Sequence, residues 1–176
     1  MTSQVSEVKA PVLRWLHLTD LHVGKKNEAQ ETALRNLIES VRNQSGSAEY
    51  DLVLLTGDLA YSGHDDEYQR LEQLVIEPLR DLENFRNAIF VATPGNHDLD
   101  CDIGLPVIWE KLGADRQGKF FNLDETGAKT RSSRAGAFKS YSDFLRRAAV
   151  RGVDPTLEPA RLDRLNIRGV DVAVIS

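Results

Sequence analysis

The sequence predicts an α/β fold, a mostly parallel sheet with helices on its faces, and three observations carry that expectation. Short apolar runs and amphipathic stretches alternate as β-α-β-α-β through the first half of the chain. Each run passes at once into a polar outlet: Leu16-His17-Leu18 into Thr19-Asp20-Leu21-His22, Leu52-Val53-Leu54-Leu55 into Thr56-Gly57-Asp58, and residues 88–92 into Thr93-Pro94-Gly95-Asn96-His97-Asp98. Ligands of such sheets bind beyond the carboxyl ends of the strands, where all three outlets lie. Separate strands releasing Asp, His and Asn at one end read as a single site.

Residues 12–18 form the first strand candidate. Leu34, Leu37, Ile38 and Val41 then follow helical spacing within residues 28–44. Ser45-Gly46-Ser47 marks a loop. Residues 51–57 hold four consecutive apolar residues between turn signals, the pattern of a strand covered on both faces. A second helix is expected over residues 65–82 on Tyr68, Leu71, Val75, Leu79 and Leu82, its acidic first turn suiting the helix dipole. Pro78 should kink it or split off its last turn, because it removes a helical hydrogen bond. After the third strand, residues 88–92, Pro94 and Gly95 fit a type II turn with Gly95 at positive φ. Beyond Leu99 the order weakens. Phe138, Tyr141, Leu145 and Ala148 mark a helix over residues 134–151 with Gly152 as C-cap. A short helix over residues 158–165 is expected from Pro159 in its first turn. Residues 119–133 read as a surface loop and residues 170–176 as a fourth strand. An apolar strand at the end of a chain is unusual, and reads as a cut or an assembly boundary.

With 176 residues, 41% of them apolar, one ordinary core is expected, in a domain of residues 11–176 after a disordered leader, residues 1–10. A net charge of −5 and a pI near 5.4 give no basis for a broad nucleic-acid or anionic-membrane surface. The single cysteine, Cys101, rules out an intramolecular disulfide framework and fits a reducing compartment. No signal-type stretch or run of ~20 apolar residues is present. The expectation is a soluble, cytoplasmic protein.

The polar outlets suggest metal chemistry. Residues i and i+2 of an extended segment share a side, so Asp20 and His22 can hold one cation. Asp58 follows a glycine that permits close approach, and is placed to bridge two cations. Asn96 offers only a carbonyl oxygen. Mixed O/N donors without thiolate suit Mn²⁺ first, then Fe or Zn²⁺. Two such ions ~3.5–4 Å apart can clamp a phosphoryl group and lower the pKa of a bound water. His97 would face the leaving group as general acid, with Asp98 orienting its imidazole.

Asp20-Leu21-His22, Gly57-Asp58 and Gly95-Asn96-His97-Asp98, in this order and after strands, resemble the first three motifs of the calcineurin-like metallophosphoesterases. The resemblance covers residues 12–100, and residues 170–176 as the next core strand. It implies a β-sandwich flanked by helices, of which this chain carries the N-terminal βαβαβ half, a helical insertion and one further strand. It places Asp20 and His22 on a first metal, Asp58 between two, Asn96 on the second, and His97 as acid. It implies hydrolysis of a phosphomonoester or phosphodiester by metal-bound hydroxide, a nucleotide being one such substrate. The family also implies three further histidines from a C-terminal half, and none of the four histidines here lies beyond His97. The expectation is therefore a fragment, or a site completed by another chain.

Rival expectations stand beside these. Asp20-Leu21-His22-Val23-Gly24 is similar to the opening motif of DNA-processing exonucleases in the same superfamily, although the acidic balance does not favour nucleic acid. A non-catalytic regulatory or scaffold module would explain the absent histidines. His64 and Lys25 are the candidates for substrate contact, against plainer roles in a helix-entry loop and a solvated pair with Lys26. His17 is expected to be packed or to support a ligand. Asp100, Cys101 and Asp102 invite a metal assignment, but read more simply as a solvated loop. Trp15, Trp109, Phe120 and Phe121 are expected to pack.

Overall fold

A computed structural model of the chain describes residues 13–24, 27–44, 46, 48–100, 102–103, 125, 129, 132, 135–156 and 161–175. The expected βαβαβ order is present. β1 spans Trp15–Leu18, α1 Glu28–Gln44, β2 Leu52–Thr56, α2 Asp65–Leu71, α3 Glu77–Arg80 and β3 Ile89–Thr93. α4, Lys139–Arg147, and the two-residue β4, Arg151–Gly152, follow. The sheet order β1-β2-β3-β4 is sequential and parallel throughout. With the strands in sequential order, the right-handed crossovers usual in parallel sheets send the helices to one face. That face holds the main core, where Val53, Leu55, Phe90 and Ala92 meet Leu34 and Ile38 of α1, Tyr68 and Leu71 of α2, and Tyr141 and Phe144 of α4.

The opposite face is covered by a hairpin that the sequence reading missed. β5, Leu162–Ile167, pairs antiparallel with β6, Val170–Ile175. Their two-residue turn, Arg168-Gly169, has positive φ at both positions (52° and 80°), as the twist-compatible hairpin turn requires. Leu165, Ile167, Val172 and Val174 pack on Leu52, Leu54, Ile89 and Val91, forming the second layer of a sandwich. Two expectations are corrected here. Residues 162–165 alternate exposed and buried as a strand instead of forming a helix. Residues 170–175 pair with β5, not with the parallel sheet, whose fourth strand is β4. The hairpin is anchored by Arg168, whose guanidinium lies 2.7 Å from Asp51 Oδ1 at the entry to β2.

As the sequence suggests, the last turn is split off, and Pro78 stands at the start of the four-residue α3. A π-helical turn, Glu72–Ile76, joins α2 to α3, and the Glu77 N–H donates to the Glu72 carbonyl. This wider turn precedes the ring that would otherwise crowd the carbonyl four residues back. Gly152 is not a C-cap. The helix ends at Arg147, Ala149 takes positive φ, and Gly152 lies in β4, where a Cβ would come within 2.2 Å of the Ala92 carbonyl oxygen. Trp15 is 55% exposed on the hairpin side of β1, and His17 is likewise exposed, so neither is packed. The leader, Lys25, Lys26, Cys101, Trp109, Phe120, Phe121 and most of residues 119–133 lie outside the described residues. Among the described residues, no helix is long and apolar enough to cross a membrane.

Asp154 joins α4 to the segment after β4. It accepts from the Ser142 hydroxyl, from the Thr156 N–H and hydroxyl, and from Arg146. Burial pushes its carboxyl up, but the Ser142 and Thr156 hydrogen bonds outweigh that and hold it below its ordinary value. A lowered folded-state value stabilises above the unfolded pKa, about 3.9, and is lost as pH falls through the folded one. Asp154→Asn should therefore cost about 1–2 kcal/mol near neutrality and shrink the stability lost on acidification below about pH 4. Urea unfolding at pH 7 and pH 3 checks both, and equal losses at the two pH values would contradict the assignment.

Candidate functional site

The outlets of β1 and β2 are continuations of the strands, not free loops. Beyond Leu18 the pairing resumes: Asp20 N–H donates to the Gly57 carbonyl at 3.2 Å, His22 N–H to Asp58 at 2.9 Å and Val23 N–H to Leu59 at 2.9 Å. Within this ladder Asp20, His22 and Asp58 all have positive φ, 55°, 44° and 50°. The sequence reading placed Asp20 and His22 on one side of an extended segment. They do converge, with His22 Nε2 4.0 Å from Asp20 Oδ1, but through left-handed kinks instead. Such conformations cost about 1–3 kcal/mol each in residues other than glycine and persist only where the surroundings impose them. Here both flanking backbones are hydrogen-bonded in register.

The third outlet differs from its expected turn. Gly95 does not have positive φ, and the turn falls on His97 and Asp98. Glycine is needed at 95 for close approach: a Cβ there would lie 2.2 Å from Asp58 Oδ1 and 2.5 Å from the Asp58 nitrogen. That contact lets the His97 N–H donate to Asp58 Oδ1 at 3.0 Å. The other oxygen, Asp58 Oδ2, is 3.9 Å from His22 Nε2. His22, Asp58 and His97 thus each offer a ligand atom within 4.8 Å of the others, and the two imidazoles meet edge-on at 4.7 Å. Asn96 sits exposed in the same turn.

Asp98 does not touch the His97 ring. Its fully buried carboxylate accepts from the N–H groups of Gly95 (2.8 Å), Leu59 (3.0 Å) and Ala60 (2.9 Å) and from the Tyr68 hydroxyl (3.0 Å). Burial pushes its pKa up, while the Ala60, Gly95, Leu59 and Tyr68 donors oppose that rise. Burial, with Asp98 beside it, also pushes Tyr68 up, which keeps its hydroxyl a donor. The ring contact expected of Asp98 is made by the Tyr61 carbonyl, 2.7 Å from His97 Nδ1. A carbonyl only accepts, so Nδ1 carries the hydrogen and Nε2 keeps its lone pair.

The sequence reading missed Tyr61, whose ring also lies 5.9 Å from that of His97, and Gln30. The Gln30 amide accepts from Gly24 N–H and donates to the His22 carbonyl at 2.7 Å, bracing the first outlet from inside α1. Neither residue type signals chemistry, and only its position after Asp58 could have pointed to Tyr61. His17 Nε2 lies 2.5 Å from Thr56 Oγ1. His64 stands at the entry to α2, its ring towards Asp100 and Asp102. Lys25 is outside the described residues.

The donor set fits a divalent cation. His22 Nε2 confronts two carboxylates, its buried Nδ1 has no hydrogen-bond partner among the described residues, and no thiolate is present in the group. Imidazole with carboxylate suits first-row divalent ions. Comparison with known proteins agrees: the calcineurin-like phosphoesterase profile matches residues 13–170. The chain belongs to that family. A phosphodiesterase of Haemophilus influenzae, 3′,5′-cyclic adenosine monophosphate phosphodiesterase CpdA, is 26% identical over 100 residues, which are 53% of this chain and 33% of the relative. The chain thus matches about a third of that relative's length.

Removing the Asp98 carboxylate should be among the costliest changes in the site. Asp98→Ala leaves two buried N–H groups, the part-buried Gly95 N–H and a tyrosine hydroxyl without their acceptor, for an expected loss of about 3–5 kcal/mol. Asp98→Asn, which keeps one acceptor oxygen, should fall between. Chemical unfolding measures both, and a loss below about 1 kcal/mol for the alanine variant would show that the loops hold without the carboxylate.

Proposed function

We propose that this chain contributes the N-terminal metal-binding half of a phosphoesterase that hydrolyses a phosphate ester at a dinuclear centre. The observation that carries the proposal is the convergence of His22, Asp58 and His97, released by three separate strands, on one another's ligand atoms. In this reading Asp20 and His22 hold one divalent cation, Asp58 bridges it to a second, and Asn96 ligates the second. Mn²⁺ is the leading candidate, with Fe and Zn²⁺ next. Bound cations would neutralise phosphate oxygens and bring the pKa of a water into the working range. Further ligands from another segment or another chain complete the shells.

The chain's own residues do the rest. His97, with Nδ1–H held on the Tyr61 carbonyl, presents Nε2 to the leaving-group oxygen and delivers a proton there as the ester bond breaks. Asp58 is aimed by the His97 backbone N–H, so bridging ligand and acid move as one unit. Asp98 positions both, through Gly95 on one side and Leu59 and Ala60 on the other. A phosphodiester is the preferred substrate class, supported by the relative that cleaves a cyclic phosphodiester. The protein is placed in the cytoplasm on its cysteine content.

Mn²⁺-dependent hydrolysis of bis-p-nitrophenyl phosphate by the catalytically competent, full-length protein tests the proposal. Asp58→Asn should lower turnover by at least about 100-fold and weaken cation binding, since the bridge loses its charge. Wild-type turnover in that variant would end the two-metal reading. His97→Ala should leave cation binding largely intact. It should slow esters with poor leaving groups by about 10²–10⁴-fold and those with good ones far less. Equal slowing across leaving groups would remove His97 from the acid role.

A further inference from the structure

A second convergence of ligand atoms lies outside the family's centre. His64 precedes α2 in extended conformation, φ −85° and ψ 150°. Its Nδ1 is 3.4 Å from Ser62 Oγ, and the Ser62 hydroxyl donates to Glu67 Oε1 at 2.7 Å. Glu67, itself 1% exposed, accepts at Oε2 from the N–H groups of Ser62 (2.9 Å) and His64 (3.2 Å). With the serine proton committed to Glu67, Ser62 Oγ can only accept from the ring. In the tautomer with the hydrogen on Nδ1, Nε2 keeps its lone pair.

His64 Nε2 faces two carboxylates. His64 Nε2 lies 3.8 Å from Asp100 Oδ1 and 3.3 Å from Asp102 Oδ2. The nitrogen is buried and has no hydrogen-bond partner among the described residues. Asp100 Oδ1 accepts from the N–H groups of Asp102 (2.9 Å) and Ile103 (3.3 Å), which folds Asp102 back towards the ring. Three ligand atoms thus lie within 4.8 Å of one another, and a positive charge among them, a cation or a proton on Nε2, would offset the repulsion of the two carboxylates. Metal–ligand bonds of ~2.0–2.2 Å place donor atoms ~3.0–3.5 Å apart, the spacing approached here.

We propose that His64, Asp100 and Asp102 form a further divalent-cation site, distinct from the phosphoesterase centre. One imidazole and two carboxylates suit Zn²⁺ or Mn²⁺, whereas Ca²⁺ prefers oxygen alone. Asp102 is exposed, so water or a small anion completes the shell. The site fastens the segment after Asp98 to the entry of α2. These two backbones already touch: a Cβ on Gly63 would meet the Leu99 carbonyl carbon at 2.5 Å. The residues on either side of the joint, Tyr61 and His97, make the hydrogen bond that sets the tautomer of His97. The cation is thus a structural clip on the loops that carry the acid.

The experiment counts bound Zn²⁺ and Mn²⁺ by equilibrium dialysis and elemental analysis, with circular dichroism confirming the fold. A His22→Ala/Asp58→Asn chain lacks ligands of the phosphoesterase centre and should retain one equivalent. Adding Asp102→Asn or His64→Ala should weaken that equivalent by more than about tenfold. A folded double variant that binds no metal overturns the proposal, and leaves a protonated His64 paired with the two aspartates. Retention unaffected by either added substitution overturns it as well. Should the double variant unfold, wild type is compared with Asp102→Asn alone, whose substituted position is exposed. Loss of one equivalent then supports the site, and unchanged stoichiometry overturns it.

Discussion

The Asp98 carboxylate is the contact on which the candidate site depends. It is buried beneath the sheet's carboxyl end and accepts from the backbone on both sides of the gap between β2 and β3, and from Tyr68 of α2. A buried carboxylate without partners would be strongly unfavourable. With three N–H donors and a hydroxyl it becomes the cheapest way to satisfy backbone groups that have left the ladder. The same contact holds Gly95 against Asp58. Everything ligating nearby inherits its position from that pair of loops.

The strain at the ligands follows from this architecture. Asp20, His22 and Asp58 occupy left-handed conformations while the flanking hydrogen bonds of the β1–β2 ladder remain intact. Two strands that kink together and then resume pairing at Val23 and Ala60 give a rigid platform, where a loop would give a mobile one. Rigidity of this kind suits a centre that must hold like charges close before a cation arrives, because the cost of convergence is met by the fold. The helices serve it too. Gln30 of α1 holds the His22 carbonyl, and Arg70 of α2 reaches the Gly24 carbonyl and Glu31.

Much of this was legible in the residues. Asp20, His22, Asp58 and His97 were visible because metal-ligating types follow apolar runs at strand ends, and that context survives without coordinates. α1 was legible over its whole length, since its apolar spacing is regular and Asn27 accepts from the Ala29 N–H at its start. The later chain was harder. Pro159 drew residues 158–165 towards a helix, although Leu165 and Ile167 alternate with polar residues as a strand must. Gly152 suits a cap on local grounds, whereas its real constraint is the Ala92 carbonyl, 60 residues away in sequence.

By itself the sequence determined the β-α-β-α-β order of the first half, the parallel sheet and which side chains leave the ends of its strands. These follow from hydrophobic period and residue chemistry, which are local properties. Only the tertiary structure decided that Gly95 is there for Asp58 and that the Tyr61 carbonyl sets the His97 ring. It alone showed Asp98 as a clamp and brought His64 to Asp100 and Asp102. Each of these is a contact between segments remote in sequence, settled by how closely two backbones can approach and where a buried donor or acceptor finds its partner. No periodicity encodes that choice.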